Sequence, residues 1–68
     1  MDKDTQATLH RRKLGRADKM IRSGQLEDMV RQFRAVATNM RQEYFIMVGD
    51  EKYGPHEIEE LTKKLHID

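Results

Sequence analysis

The residues of this chain that could do chemistry are three histidines, one serine and a short run of glutamates. His56 and Glu60 are four residues apart, so a helix would place both side chains on one face, where they could hold a metal ion. A structural zinc site needs four ligands, and this pair supplies only two. We therefore interpret both as surface residues near a helix end, and the sequence predicts no metal site.

Covalent and acid–base catalysis also lack a suitable set of residues. Ser23 has no base placed beside it, and Ser23-Gly24 is a common loop dipeptide. Glu57, Glu59 and Glu60 fall in the first turn of a predicted helix, where the helix dipole already favours acidic side chains. The chain has no cysteine, which excludes a thiolate nucleophile and a disulfide framework. We expect a protein that is not an enzyme and that needs no cofactor.

A basic run near the N-terminus is the most informative pattern. Leu14, Ala17 and Ile21 have the spacing of one helical face, so the sequence predicts a basic helix over 9–22. The predicted partner-binding residues are the basic ones of this segment: Arg11, Arg12, Lys13, Arg16, Lys19 and Arg22. Such a face can bind a phosphate backbone, dock on an acidic protein surface, or simply be solvated.

Charge is unevenly distributed along the chain, although the net charge is only +1. Residues 1–24 hold seven Lys or Arg and three acids, which gives +4, whereas residues 43–68 hold three Lys and seven acids, which gives −4. A long-range field of this kind steers a molecule onto its partner. Because the acidic part would repel nucleic acid, we rank a protein partner first and nucleic acid second.

The remaining elements follow from apolar spacing. Residues 1–8 show no periodicity and are predicted to be a disordered tail. Residues 25–42 carry one continuous apolar stripe, which predicts a long amphipathic helix. Its members are Leu26, Met29, Val30, Phe33, Val36, Ala37 and Met40. Residues 44–48 are aromatic and β-branched, so they predict a strand that turns at Gly49 and returns through residues 52–53.

Gly54-Pro55 then predicts the start of a C-terminal helix, because proline suits the first helical turn. The expected fold class is α+β, with an N-terminal basic helix, a long central amphipathic helix, a small β-hairpin and a C-terminal helix. The expected domain organisation is a disordered tail over 1–8, a basic helical arm over 9–22 and a small α+β core over 25–68.

Residues 44–67 resemble the start of a bacterial GYF-type domain. In that family an aromatic strand and a turn lead to a Gly-Pro pair and then to a helix with an Ile/Leu-x-x-Leu face. The matching parts of this sequence are Tyr44-Phe45, Gly54-Pro55, and Ile58 with Leu61. The family binds peptides, often rich in proline, over exposed aromatic side chains. The resemblance therefore implies peptide contacts by Tyr44, Phe45 and Tyr53.

We expect a non-catalytic small regulatory protein that binds a larger protein assembly in the cytoplasm. Its short, highly charged sequence is in the style of phage proteins, and the most specific hypothesis is a transcription regulator bound to bacterial RNA polymerase. A nucleic-acid-binding protein that uses the helix over 9–22 is the first alternative, and a GYF-like peptide-binding module is the second. No apolar run reaches the ~20 residues of a membrane span, so no membrane partner is expected.

Overall fold

One antiparallel sheet and two helices form the structure, a computed structural model that describes residues 1–67. The elements are β1 (Gln6–Arg11), β2 (Lys19–Gln25), α1 (Leu26–Ala35), a short 3₁₀ helix (Thr38–Glu43), β3 (Tyr44–Val48), β4 (Glu51–Tyr53) and α2 (Pro55–Lys64). The strand order across the sheet is β2-β1-β3-β4, and every neighbouring pair is antiparallel. Neither helix has the length and apolarity needed to cross a membrane.

The predicted basic helix over 9–22 is wrong, because this segment forms the end of β1, a loop and most of β2. The helical spacing of Leu14, Ala17 and Ile21 is coincidental, since all three are exposed and bury no common face. The relevant pattern starts earlier, where buried Ala7 and Leu9 alternate with less buried neighbours as in a half-buried strand. Residues 6–8 of the predicted tail therefore belong to the sheet.

The predicted helix over 25–42 is also wrong in its length, since α1 ends at Ala35. The Arg41 side chain folds back over this end and donates hydrogen bonds to the carbonyls of Arg34 (2.8 Å) and Val36 (3.1 Å). These bonds occupy carbonyl groups at the end of the helix, where intrahelical partners run out. The apolar stripe is thus interrupted, with Val36 and Ala37 in the link between α1 and the separate 3₁₀ helix that carries Met40.

Two predicted elements match the structure. β3 and β4 form a hairpin whose loop is Gly49-Asp50, because Val48 pairs with Glu51. Gly49 has φ of 60°, and a positive φ at the first loop residue is the arrangement of a type II′ turn. α2 begins at Pro55, and the carboxylate of Glu57 accepts a hydrogen bond of 2.9 Å from the Gly54 amide at its N-terminus.

The core lies between one face of the sheet and the two helices. Its fully buried side chains come from all of these layers: Leu9, Leu26, Met29, Val30, Phe33, Ile46 and Ile58. Ala7 and Leu9 belong to the same cluster, so the core is not confined to residues 25–68 as predicted. Both helices cover this single face, and no helix of the described residues 1–67 covers the opposite face of the sheet.

Candidate functional site

The uncovered face of the sheet carries the first part of the candidate site. Side chains alternate along a strand, so Thr8 and His10 of β1 and Phe45 and Met47 of β3 point away from the core that Leu9 and Ile46 enter. Lys52 of β4 pairs with Met47 and lies on the same side. We call this set the open face: Thr8, His10, Phe45, Met47 and Lys52.

Phe45 lies at the centre of the open face and is held from both sides. His10, its partner across the ladder, stacks on the Phe45 ring with centroids 5.1 Å apart and planes 5° from parallel. The Lys52 ammonium lies 4.2 Å from the ring centroid on the β4 side, and the Arg12 guanidinium lies 5.7 Å from it. Phe45 is only 4% exposed but lies outside the core cluster. Neighbouring histidine and cationic side chains therefore cover this ring, in place of a helix.

The His10 ring is oriented by a second contact. Its Nε2 atom lies 2.8 Å from the hydroxyl of Thr8, two residues earlier on the same side of β1. Stacking on Phe45 and this hydrogen bond hold the imidazole in one position. The two rings come from the two central strands of the sheet, β1 and β3, so they form a rigid surface.

The β1–β2 hairpin carries the second part of the site. Its ladder ends where Arg11 pairs with Lys19, and residues 12–18 form an exposed loop beyond that pair. We call residues 11–22 the basic arm. It brings together all six predicted partner-binding residues: Arg11, Arg12, Lys13, Arg16, Lys19 and Arg22. Asp18 is the one acidic residue of this segment, so the arm has a formal charge of +5.

Arg11 differs from the other five basic residues of the arm. Its guanidinium forms an ion pair of 3.1 Å with the Glu43 carboxylate and lies 5.6 Å from the centroid of the Tyr44 ring. Arg11 is therefore half-buried and partly neutralised, whereas the other five side chains are exposed. These five are free to contact a partner without breaking a contact in the core.

The basic arm also exposes large apolar side chains. Leu14 at its loop is fully exposed, and Met20 and Ile21 on β2 are about half exposed. Met20 lies opposite His10 in the ladder, and Ile21 is the extra residue of a β-bulge at that point. Apolar residues are therefore interspersed with the cations of the arm.

The acidic residues of α2 lie on the other side of the molecule from the open face. Ile58 anchors α2 to the core on the covered face of the sheet. Glu57, Glu59 and Glu60 are exposed on this helix. The three glutamates of α2 are thus separated in space from the open face and do not oppose an anion bound there, whereas Asp50 of the same chain half borders that face.

The aromatic residues suggested by the GYF-type resemblance do not form one surface. Phe45 belongs to the open face, whereas Tyr44 and Tyr53 pack against the core on the covered side. Tyr44 contacts Arg11, and Tyr53 hydrogen-bonds Glu51. These three residues therefore share no surface on which one peptide could contact all of them.

His56 and Glu60 form an exposed pair on α2, with His56 Nε2 3.1 Å from Glu60 Oε1. Among residues 1–67, no group of three or more His, Cys, Asp or Glu side chains is arranged to hold a metal ion. Both side chains of the pair are exposed to solvent.

Tyr53 has the one clearly shifted titration in the described part of the chain. Its hydroxyl donates a hydrogen bond of 2.7 Å to the Glu51 carboxylate. This bond, followed by partial burial and the negative charge of Glu51, raises the pKa of Tyr53 above its ordinary value of 10.0. Any stability that the contact supplies is present below pH 10 and is lost as the pH rises through the raised pKa.

We expect Glu51→Ala to lower the titration midpoint of Tyr53. The measurement uses a Tyr44→Phe background, in which Tyr53 is the only tyrosine, and follows tyrosinate absorbance through an alkaline titration. The single variant Tyr44→Phe is the control. Equal midpoints with and without Glu51 would contradict the assigned cause of the shift.

The predicted site residues did not include four members of the open face, namely Thr8, His10, Met47 and Lys52. The available signal was the alternation of Thr8 and His10 with Ala7 and Leu9, which is typical of a strand with one buried face. Comparison of the chain with protein-family models, with curated proteins and with solved structures finds no match. The function is therefore inferred from the geometry alone.

Proposed function

We propose that this protein is a non-catalytic nucleic-acid-binding protein whose basic arm contacts the phosphate backbone. The observation that carries the proposal is the arm itself, where five exposed cations share one hairpin with a single acidic residue. Exposed lysine and arginine side chains on one hairpin are the residues that neutralise phosphates and release their counterions. They add little to the stability of the fold, so a binding role explains their concentration better than a structural one.

The arrangement of charge also supports nucleic acid over an acidic protein surface. The sequence favours a protein partner over nucleic acid, because the acidic residues of the C-terminal half would repel nucleic acid. The glutamates of α2 lie on the covered side of the sheet, away from the open face and its neighbouring cations Arg12 and Lys52. The repulsion by these three glutamates is therefore weaker than the sequence suggested, and of the remaining acids of that half Asp50 borders the open face.

Charge reversal on the arm tests the proposal. We expect Lys13→Glu/Arg16→Glu to weaken binding of a fluorescein-labelled 20-nucleotide DNA by at least about tenfold, or about 1.4 kcal/mol. Fluorescence anisotropy at fixed salt measures the affinity. Both side chains are exposed, so the thermal melt should be nearly unchanged.

A matched control reverses the same number of charges elsewhere. Lys63 and Lys64 are exposed near the C-terminal end of α2. Lys63→Glu/Lys64→Glu changes the net charge by the same amount, and we expect its affinity to stay close to that of the unaltered protein. Equal losses of affinity in the two variants would show that the effect depends on net charge alone. If the unaltered protein does not bind DNA, the proposal is refuted.

A larger protein assembly is the second candidate partner, favoured by one specific observation. Leu14, Met20 and Ile21 are exposed among the cations of the arm, and protein interfaces place apolar side chains at their centre. The narrower hypothesis of a cytoplasmic, phage-type regulator bound to bacterial RNA polymerase stays a prediction. The test is direct binding to nuclease-treated bacterial RNA polymerase. The unaltered protein should bind the polymerase, and Leu14→Ser should abolish this binding.

A further inference from the structure

We propose that the open face binds unpaired bases, with the Phe45 ring as the stacking surface, so that the preferred ligand is single-stranded nucleic acid. This inference rests on the proposed function and assigns a role to a different part of the molecule. The basic arm would hold phosphates of either a duplex or a single strand. The open face distinguishes between the two.

The breadth of the open face favours unpaired bases over a duplex as its ligand. Bases in a duplex are reached through its grooves, by a helix, a narrow ribbon or an extended arm. The open face spans several strands of a four-stranded sheet and is therefore broader than the elements that commonly enter a groove. Unpaired bases, in contrast, can splay out and lie on aromatic rings of a sheet surface.

Phe45 is positioned to receive such a base. Its ring is on a central strand and is fixed on one side by the His10 stack. What covers it on the β4 side is the ammonium group of Lys52, 4.2 Å from the ring centroid, on an exposed and flexible side chain. An arriving base displaces the ammonium from the ring, and the Lys52 side chain then extends into solvent beside the cavity.

The surroundings of Phe45 select a base over a phosphate. A shallow cavity of about 510 Å³ adjoins the ring, and its lining includes Met47 and the two carboxylates Asp18 and Asp50. The carboxylates repel phosphate but accept hydrogen bonds from the amino groups of bases. Phosphates are therefore directed to the arm and bases to the cavity.

Arg12 connects the two parts of the proposed site. It belongs to the basic arm, and its guanidinium lies 5.7 Å from the Phe45 ring centroid. A strand whose phosphates follow the arm thus passes beside the ring, where its bases can turn toward the sheet. The arm supplies affinity for any nucleic acid, and the ring adds affinity for unpaired bases.

The experiment compares a 12-nucleotide single-stranded DNA of mixed sequence with the duplex of the same sequence, both labelled with fluorescein. Phe45→Leu keeps the position apolar but removes the ring. We expect it to weaken single-strand binding about tenfold, as for loss of one stacked base, and to leave duplex affinity unchanged. Phe45→Tyr retains a ring and should preserve single-strand binding. Circular dichroism confirms that each variant is folded.

A second measurement reports stacking directly in the unaltered protein. A 2-aminopurine placed at the centre of the same single strand should lose fluorescence when it stacks on Phe45, and this quenching should be absent in Phe45→Leu. Equal affinity for single strand and duplex, or no quenching in the unaltered protein, would overturn the inference. If Lys13→Glu/Arg16→Glu still weakens binding at least about tenfold in that case, the proposed function stands without the inference. If neither DNA binds, both proposals fail.

Discussion

Phe33→Ala should leave the protein largely unfolded at 25 °C. Phe33 is 0% exposed and is the largest fully buried side chain of the core. Removing a buried phenylalanine side chain costs about 3–5 kcal/mol, from lost burial and from the cavity that remains. A single core in a chain of this length supplies no more than about 3–5 kcal/mol of net stability. The loss is therefore comparable to the whole free energy of unfolding.

Thermal and urea unfolding followed by circular dichroism measure this effect. Phe33→Leu is the matched control, because it keeps most of the buried volume and should retain a cooperative melt. A cooperative melt of Phe33→Ala close to that of the unaltered protein would show that the centre of the core lies elsewhere.

Affinity for single-stranded nucleic acid should fall steeply with salt. Five exposed cations of the arm are available for phosphates: Arg12, Lys13, Arg16, Lys19 and Arg22. If all five make contact, the logarithm of the binding constant falls with the logarithm of salt with a slope of about −3.5. Between 50 and 200 mM salt, affinity then drops roughly 100-fold. Arg11 is not counted among the phosphate contacts because its guanidinium already pairs with the Glu43 carboxylate.

Anisotropy titrations of a labelled single strand at several salt concentrations give the slope. Lys13→Gln/Arg16→Gln removes two contacts and should reduce the slope to about −2.1. Lys63→Gln/Lys64→Gln removes two charges from α2 and should leave it unchanged. A slope near zero in the unaltered protein would mean that the arm does not contact phosphates.

The sequence predicted the C-terminal half of the fold better than the N-terminal half, for a physical reason. In residues 44–64 the signals are local and independent of one another, namely an aromatic β-branched run, Gly49 at a tight turn and Pro55 at a helix start. Each would favour the same structure in isolation. The fold class as a whole was still wrong, because it omitted half of the sheet.

β1 and β2 could not be read in the same way. β1 has only two buried side chains, Ala7 and Leu9, and β2 has none. What stabilises β2 is its ladder with β1, and the loop of residues 12–18 that joins the two strands is too long for the two-residue turn signals that mark a hairpin in a sequence. Where burial is this slight, a chance helical spacing such as that of Leu14, Ala17 and Ile21 outweighs the true signal.

The basic residues could be named as candidates without the correct fold, because charged residues are visible in the sequence itself. Their grouping on one hairpin, and the stacking of His10 on Phe45, depend on the register between β1, β2 and β3. Register is decided by pairing across the sheet, so the surface that these residues form together was not predictable from the sequence.

The bulge at Ile21 has a consequence for self-association. β2 is the outer strand of the sheet and is paired, within the described residues, with β1 alone. An outer strand of this kind is a template on which further chains can add and grow into aggregates. In β2 the bulge interrupts the regular ladder, and Lys19 and Arg22 on either side of it place like charges against any second copy. The molecule can therefore expose Leu14, Met20 and Ile21 to a partner while its outer strand resists polymerisation.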